Sequence, residues 1–258
     1  MQPRDLTLLG LAERLFIAFT SVDTRTARTV WTLVRRPGEL AVAWIRGVRK
    51  TYVAPITLFL VINVLFFAVQ SLTGGTVFSS PLDSHLHHQD WSVFARTQVD
   101  ARLTASGTTL ADYAPVFDRA VVTHAKSLII LMTAPFALLL PLVFLRERRP
   151  SMMHVVFSLH LYSFLLLLFC VALFAAALSD WMGFGGIQAP AVDTTLSIIL
   201  LATCTLYLYR AIGRAYGAHG VRRVVQSVAL AIAVAVIVIG YRFALFLITL
   251  SAAPPGSG

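Results

Sequence analysis

The sequence predicts an all-α, polytopic transmembrane helix bundle of about five spans, preceded by N-terminal amphipathic helices at the membrane interface. Three observations carry this prediction. Hydrophobic residues make up 57% of the chain and charged residues only 13%, whereas an ordinary soluble domain has about 25% charged residues. The apolar residues are gathered into runs near the roughly 20 residues a helix needs to cross the hydrocarbon layer. The basic residues, in turn, collect between alternate runs instead of being spread along the chain.

Taken in order, residues 1–52 form an interfacial segment, 53–250 the bundle, and 251–258 a short tail. The stretch Leu6 to Phe19 is apolar on one side only and reads as a helix lying along the membrane surface. Between Glu39 and Tyr52, Leu40, Trp44 and Val48 recur at four-residue spacing. Glu39, Arg46, Arg49 and Lys50 fall opposite them, the pattern of a second in-plane helix. Spans are expected at about 53–72, 127–145, 155–178, 191–209 and 224–243. Pro135 and Pro141 should kink the second, whose freed carbonyls then need partners from neighbouring helices. Residues 73–126 read as a small helical cap, too short for an independent core and broken near Gly107 and Pro115.

Charge placement predicts orientation. Arg4, Arg14, Arg25, Arg28, Arg35, Arg36, Arg46, Arg49 and Lys50 precede the first span. Arg146, Arg148 and Arg149 follow the second, and Arg210, Arg214, Arg222 and Arg223 follow the fourth. The opposite side holds only Arg96, Arg102, Arg119 and Lys126. Positive loops stay inside, so the amino terminus is expected in the cytoplasm and the carboxyl terminus outside. The net charge of +9 then has a membrane origin, and no nucleic-acid partner is expected. Arg242 reads as snorkelling to the outer interface, with burial in the bundle as the alternative. Trp31, Trp44, Trp91 and Trp181 lie outside the apolar runs, as interfacial anchors do.

Candidate chemistry is sparse. His154 and His160 open the third span, but six helical residues set them about 120° apart, so they do not share a face as a metal-binding pair would. A packed, hydrogen-bonded role is expected ahead of a proton relay or a metal site. His85, His87 and His88 sit among Asp83 and Asp90 in the outer segment. They offer metal binding or a pH response, although a solvated loop is the simpler reading. Cys170 and Cys204 lie within apolar runs without zinc-ligand spacing, so small core residues are expected and no cofactor or metal is implied. The sequence contains no G-x-S-x-G, H-E-x-x-H or Walker A motif.

Several runs fit together as a family pattern. Arg36-Pro37-Gly38 is followed by Arg46-Gly47-x-Arg49-x-x-Tyr52-x-x-Pro55 leading into an apolar helix. His154-Val155-Val156-Phe157-Ser158-Leu159-His160 comes next, then Leu161-Tyr162-Ser163-Phe164. Tyr209-Arg210 and Arg214-Ala215-Tyr216-Gly217 close the pattern. Across roughly Arg28 to Gly240 this resembles a bacterial integral-membrane family of unknown function, domain-of-unknown-function family 3667. Members often begin with a zinc ribbon, and here no cysteine precedes Cys170. The resemblance implies an inner-membrane location and this topology, and no particular chemistry.

Three functions are compatible. The first is a non-enzymatic protein that binds or moves a small or lipid-like anion at a basic cytoplasmic collar, using Arg46, Arg49, Tyr52, His154, His160, Arg210 and Arg214. The second is a scaffold or homo-oligomer associating through small residues such as Ala172, Ala176, Ala229 and Ala233. The third is a membrane-embedded lipid-modifying enzyme with a histidine beside a carboxylate. The bilayer and its anionic headgroups are the expected partners in each.

Overall fold

A computed structural model describes residues 24–75, 77–182 and 190–253, with backbone alone at 190–193. The expected surface helix from Leu6 to Phe19 lies outside the described residues. Those described are helical almost throughout: α1 Thr24–Arg35, α2 Glu39–Ile45, α3 Pro55–Thr73, α4 Leu82–His87, α5 Ser92–Ser106, α6 Leu110–Leu128, α7 Thr133–Val143, α8 Ser151–Trp181, α9 Pro190–Tyr216 and α10 Gly220–Ala252. Five helical stretches are long and apolar enough to cross a membrane: Pro55–Thr73, Leu110–Val143, Ser151–Trp181, Thr194–Tyr216 and Gly220–Ala252.

Helix α8 is the axis of the bundle. It packs against α3, α7, α2 and α9, while α10 packs on α9, α6 and α7. Exposed apolar residues mark the outer faces, among them Val64 on α3 and Val221, Val225, Val228, Ile232, Val236 and Ile239 along α10. Such stripes suit a lipid surround.

Local sequence accounts for the boundaries. Pro55 opens α3 at a position where the missing N–H costs nothing, and Gly74 in the left-handed region ends it. The hydroxyl of Thr109 accepts from the Asp112 N–H at the start of α6. A 3₁₀ turn, Ile129–Met132, joins α6 to α7. Pro135 cannot donate to the Leu131 carbonyl, so the expected kink takes the form of this tighter turn. Pro141 sits within α7, which ends two residues later. Neighbouring helices reach this segment at other carbonyls: Ser158 Oγ donates to that of Thr133 at 2.7 Å and Gln226 Nε2 to that of Val143 at 3.2 Å.

Several boundaries differ from expectation. The second span is the inner part of a longer helical run beginning at Leu110, and the cap breaks at Gly107 but not at Pro115, which stays inside α6. Helix α9 continues past Tyr209 to Tyr216, so Arg210 and Arg214 stand on its last turns and not in a loop. The tail from Phe243 to Leu250 continues α10.

The cap is folded onto the bundle. Phe78, in the connector after α3, makes edge contacts with Phe66, Phe169 and Tyr241 at centroid distances of 5.5, 5.4 and 5.8 Å. The histidine-rich stretch is not a solvated loop. It forms α4, with His85 buried against Phe246 at 4.9 Å and accepting from Trp91 Nε1 at 3.3 Å, while His87 pairs with Asp83 at 2.9 Å. Arg242 is half-buried beneath this cap, donating to Ser80 Oγ at 2.9 Å. It therefore stands at the end of the bundle away from the basic segments, partly covered by protein.

Candidate functional site

The basic end is assembled from three chain segments. Helices α1 and α2 with their connector contribute Arg25, Arg28, Arg35, Arg36, Arg46, Arg49 and Lys50. The α7–α8 link adds Arg146, Arg148 and Arg149, and the α9–α10 junction adds Arg210, Arg214, Arg222 and Arg223. Ion pairs join the segments, Arg214 to Glu39 at 3.2 Å and Arg222 to Glu147. Among the described residues these two glutamates are the only acids at this end, and each is already held by an arginine. The opposite end has no basic excess, with Asp83, Asp90, Asp100, Asp112, Asp118 and Asp180 against Arg96, Arg102, Arg119, Lys126 and Arg242.

Helix α1 pins the connector by its backbone. Arg25 Nε donates to the Tyr52 carbonyl at 2.9 Å and Nη2 to that of Arg49 at 2.8 Å, while the Val53 N–H donates to Thr29 Oγ1 at 3.0 Å. Thr29, Thr32 and Leu33 are buried, whereas Trp31 and Val34 are exposed, with the Arg35 guanidinium 4.6 Å over the Trp31 ring.

Helix α2 departs from the in-plane expectation. It ends at Ile45 and is wedged between α8 and α9, burying Leu40, Ala41 and Ala43. Its apolar face meets protein, and Val48 lies beyond the helix end, exposed. Gly38 makes the wedge possible. Its φ is +83°, and a β-carbon there would stand 2.6 Å from the Ala211 carbonyl oxygen on α9.

The two histidines of α8 go to different partners, as their angular separation demands. His154 Nδ1 meets the Tyr216 hydroxyl at 2.9 Å, and Tyr216 stacks on Phe144 with centroids 3.9 Å apart and an 8° interplanar angle. This cluster ties the α7 end, the α8 start and the α9 end together. His160 instead lines a crevice under α2, with Leu33, Arg36, Gly38, Leu40, Ala41, Phe157 and Tyr207. It is 5% exposed, and its Nδ1 has no hydrogen-bond partner among the described residues. Tyr207 is held by stacking on Phe164 at 3.8 Å.

The residues expected to bind are therefore distributed. Arg46 and Arg49 are exposed beyond α2, Arg49 lying 5.1 Å over Trp44. Tyr52 is half-buried, Arg210 is exposed, and Arg214 is engaged with Glu39. His154 is committed to Tyr216, and of the expected set only His160 faces the crevice. Arg36, Gly38 and Tyr207 line it too, and nothing in the sequence alone marks them for binding. The Pro37-Gly38 pair is the available signal, since a left-handed glycine before a helix marks close backbone approach. Cys170 and Cys204 are free and buried. Among the described residues no three of His, Cys, Asp or Glu group as a metal site.

The first motif cluster also carries the comparison with known proteins. Residues 23–67 match the family described as Protein of unknown function (DUF3667). The matched stretch comprises α1, α2, the connector and most of α3, so the wedge and its glycine fall within the family's segment. The His154 to His160 motif and the α9 arginines lie outside it. No curated protein and no solved structure matches the chain.

Proposed function

We propose that this multi-pass membrane protein binds an anionic, lipid-like ligand at its basic end and that this end faces the cytoplasm of a bacterial inner membrane. The charge balance carries the reading. With Glu39 and Glu147 both paired, Arg46, Arg49 and Arg210 meet no further carboxylate among the described residues. Positive charge collected at one membrane interface attracts anionic headgroups, at about 1 kcal/mol per basic residue near the surface. Arg46, Arg49, Arg210 and the backbone around Tyr52 form the outer collar, and His160 with Arg36 forms its interior. Binding is favoured over catalysis because the crevice lining has a histidine and an arginine but no carboxylate.

The test uses the full chain in nanodiscs of phosphatidylcholine with a minor fraction of phosphatidylglycerol. Native mass spectrometry should find anionic lipid enriched around the wild type and reduced for Arg46→Ala/Arg49→Ala. Equal lipid content in both proteins would make the collar a plain anchor and favour the scaffold reading.

A further inference from the structure

We infer that the crevice beneath α2 seats a phosphate group, with one oxygen inside against the His160 imidazole and the others on the Arg36 guanidinium at its mouth. The inference rests on the anion-binding reading and names its site and ligand class. A buried imidazole nitrogen without a partner has lost its water and gained nothing in return. His160 is in that position at 5% exposure, inside a crevice it lines. The enclosed space holds about one water-sized group, enough for a single oxygen and not for a whole headgroup. The rest of the ligand must stay at the mouth, where Arg36 is exposed and offers a planar fork suited to phosphate oxygens. Leu33, Leu40 and Phe157 make the flanks apolar. Helix α1, which supplies Leu33, has Trp31 and Val34 exposed on its surface, so an amphiphile can arrive sideways from the bilayer. The surrounding excess of arginine suits a dianionic phosphate monoester better than a monoanion.

Two sources share this chemistry, a phosphatidic-acid headgroup and free phosphate. Full-length protein in neutral detergent is titrated with dioleoyl phosphatidic acid, with phosphatidylcholine as control, and read by native mass spectrometry. One phosphatidic acid per chain should survive activation that strips phosphatidylcholine. Arg36→Gln should lower that bound fraction about tenfold, the size of one charge-assisted hydrogen bond, with unchanged melting temperature. His160→Phe, filling the crevice, should abolish it. If His160→Phe does not fold, the exposed Arg36 position carries the test alone. Displacement by inorganic phosphate assigns the site to free phosphate, and resistance to displacement assigns it to the lipid. No one-to-one species above the phosphatidylcholine level, or retention in Arg36→Gln, overturns the inference and leaves an ordered water as the occupant. Equal enrichment in wild type and Arg46→Ala/Arg49→Ala with the one-to-one species intact would instead count against the collar alone.

Discussion

Gly38 lies so close to Ala211 that a β-carbon at position 38 would come within 2.6 Å of the Ala211 carbonyl oxygen. The contact is backbone to backbone, so no side chain can rotate away to relieve it. With φ at +83°, an L side chain is also strained there by about 1–2 kcal/mol. Gly38→Ala should therefore destabilise the protein by about 3 kcal/mol or push α2 out of its groove. Faster tryptic cleavage at Arg46, together with a lower melting temperature, would register it. An unchanged cleavage rate would mean that α2 is not held by this approach.

Tyr216 joins three helices through His154 and Phe144. Tyr216→Phe keeps the stack and removes the hydroxyl, leaving the imidazole nitrogen unpaired at a cost of about 1–2 kcal/mol. Tyr216→Ala removes both and should cost about 3–5 kcal/mol. Thermal unfolding of the two variants in one detergent compares them: no loss in Tyr216→Phe would refute the hydrogen bond's share, and equal losses the stack's.

The Arg214–Glu39 pair looks like a latch for α2, but both side chains are substantially exposed. Water and salt screen such a pair to about 0–1 kcal/mol. Arg214→Gln should accordingly shift the melting temperature little, and only at low ionic strength. A large loss that persists in high salt would show the pair to be a true fastening.

His85 gives the outer cap a pH dependence. Burial, helped by the nearby Arg242, holds its imidazole down at about 4, against 6.5 for an exposed histidine. The unfolded chain then takes up the proton first, so the native state is favoured fully above about 6.5. That advantage, about 3 kcal/mol, is lost as pH falls toward 4. Thermal unfolding between pH 7 and 4.5 should show the decline in wild type and flatten in His85→Gln. The Trp91 indole, which donates to His85, supplies a local fluorescence signal.

Arg242→Gln tests the same site from the other side. Without the guanidinium the His85 pKa should rise toward 6.5, though burial keeps it below. Labelled-histidine NMR titration would read the shift, and an unmoved value would remove Arg242 as a cause.

Hydropathy alone locates the crossing helices, because an unbroken apolar run of about 20 residues matches the thickness of a bilayer and exceeds what most soluble cores can cover. It is less able to say what covers an amphipathic face. The Leu40, Trp44, Val48 stripe has the period of an in-plane helix, yet Leu40 packs on protein and Val48 lies past the helix end. Periodicity reports that a face is covered, and a neighbouring helix and a lipid tail look alike to it. The different fates of His154 and His160 follow from helical geometry. Which of them meets a crevice depends on where α2 lodges, and that hangs on one glycine. For His85, polar neighbours in sequence conceal burial created by distant Phe117 and Phe246.

The two longest helical runs, Leu110–Val143 and Gly220–Ala252, have 34 and 33 residues. At 1.5 Å per residue each is about 50 Å long, while the hydrocarbon layer is about 30 Å thick. Their surplus lies at the end away from the basic collar, where Tyr241 donates to the Ala125 carbonyl at 3.1 Å and His124 meets Thr249 at 3.2 Å. The two helices thus rise from the bilayer as a paired mast. Phe243 on one helix meets Trp91 and Phe94, while Asp112, Arg119 and Lys126 stay exposed on the other, so the mast lifts the cap clear of the lipid tails.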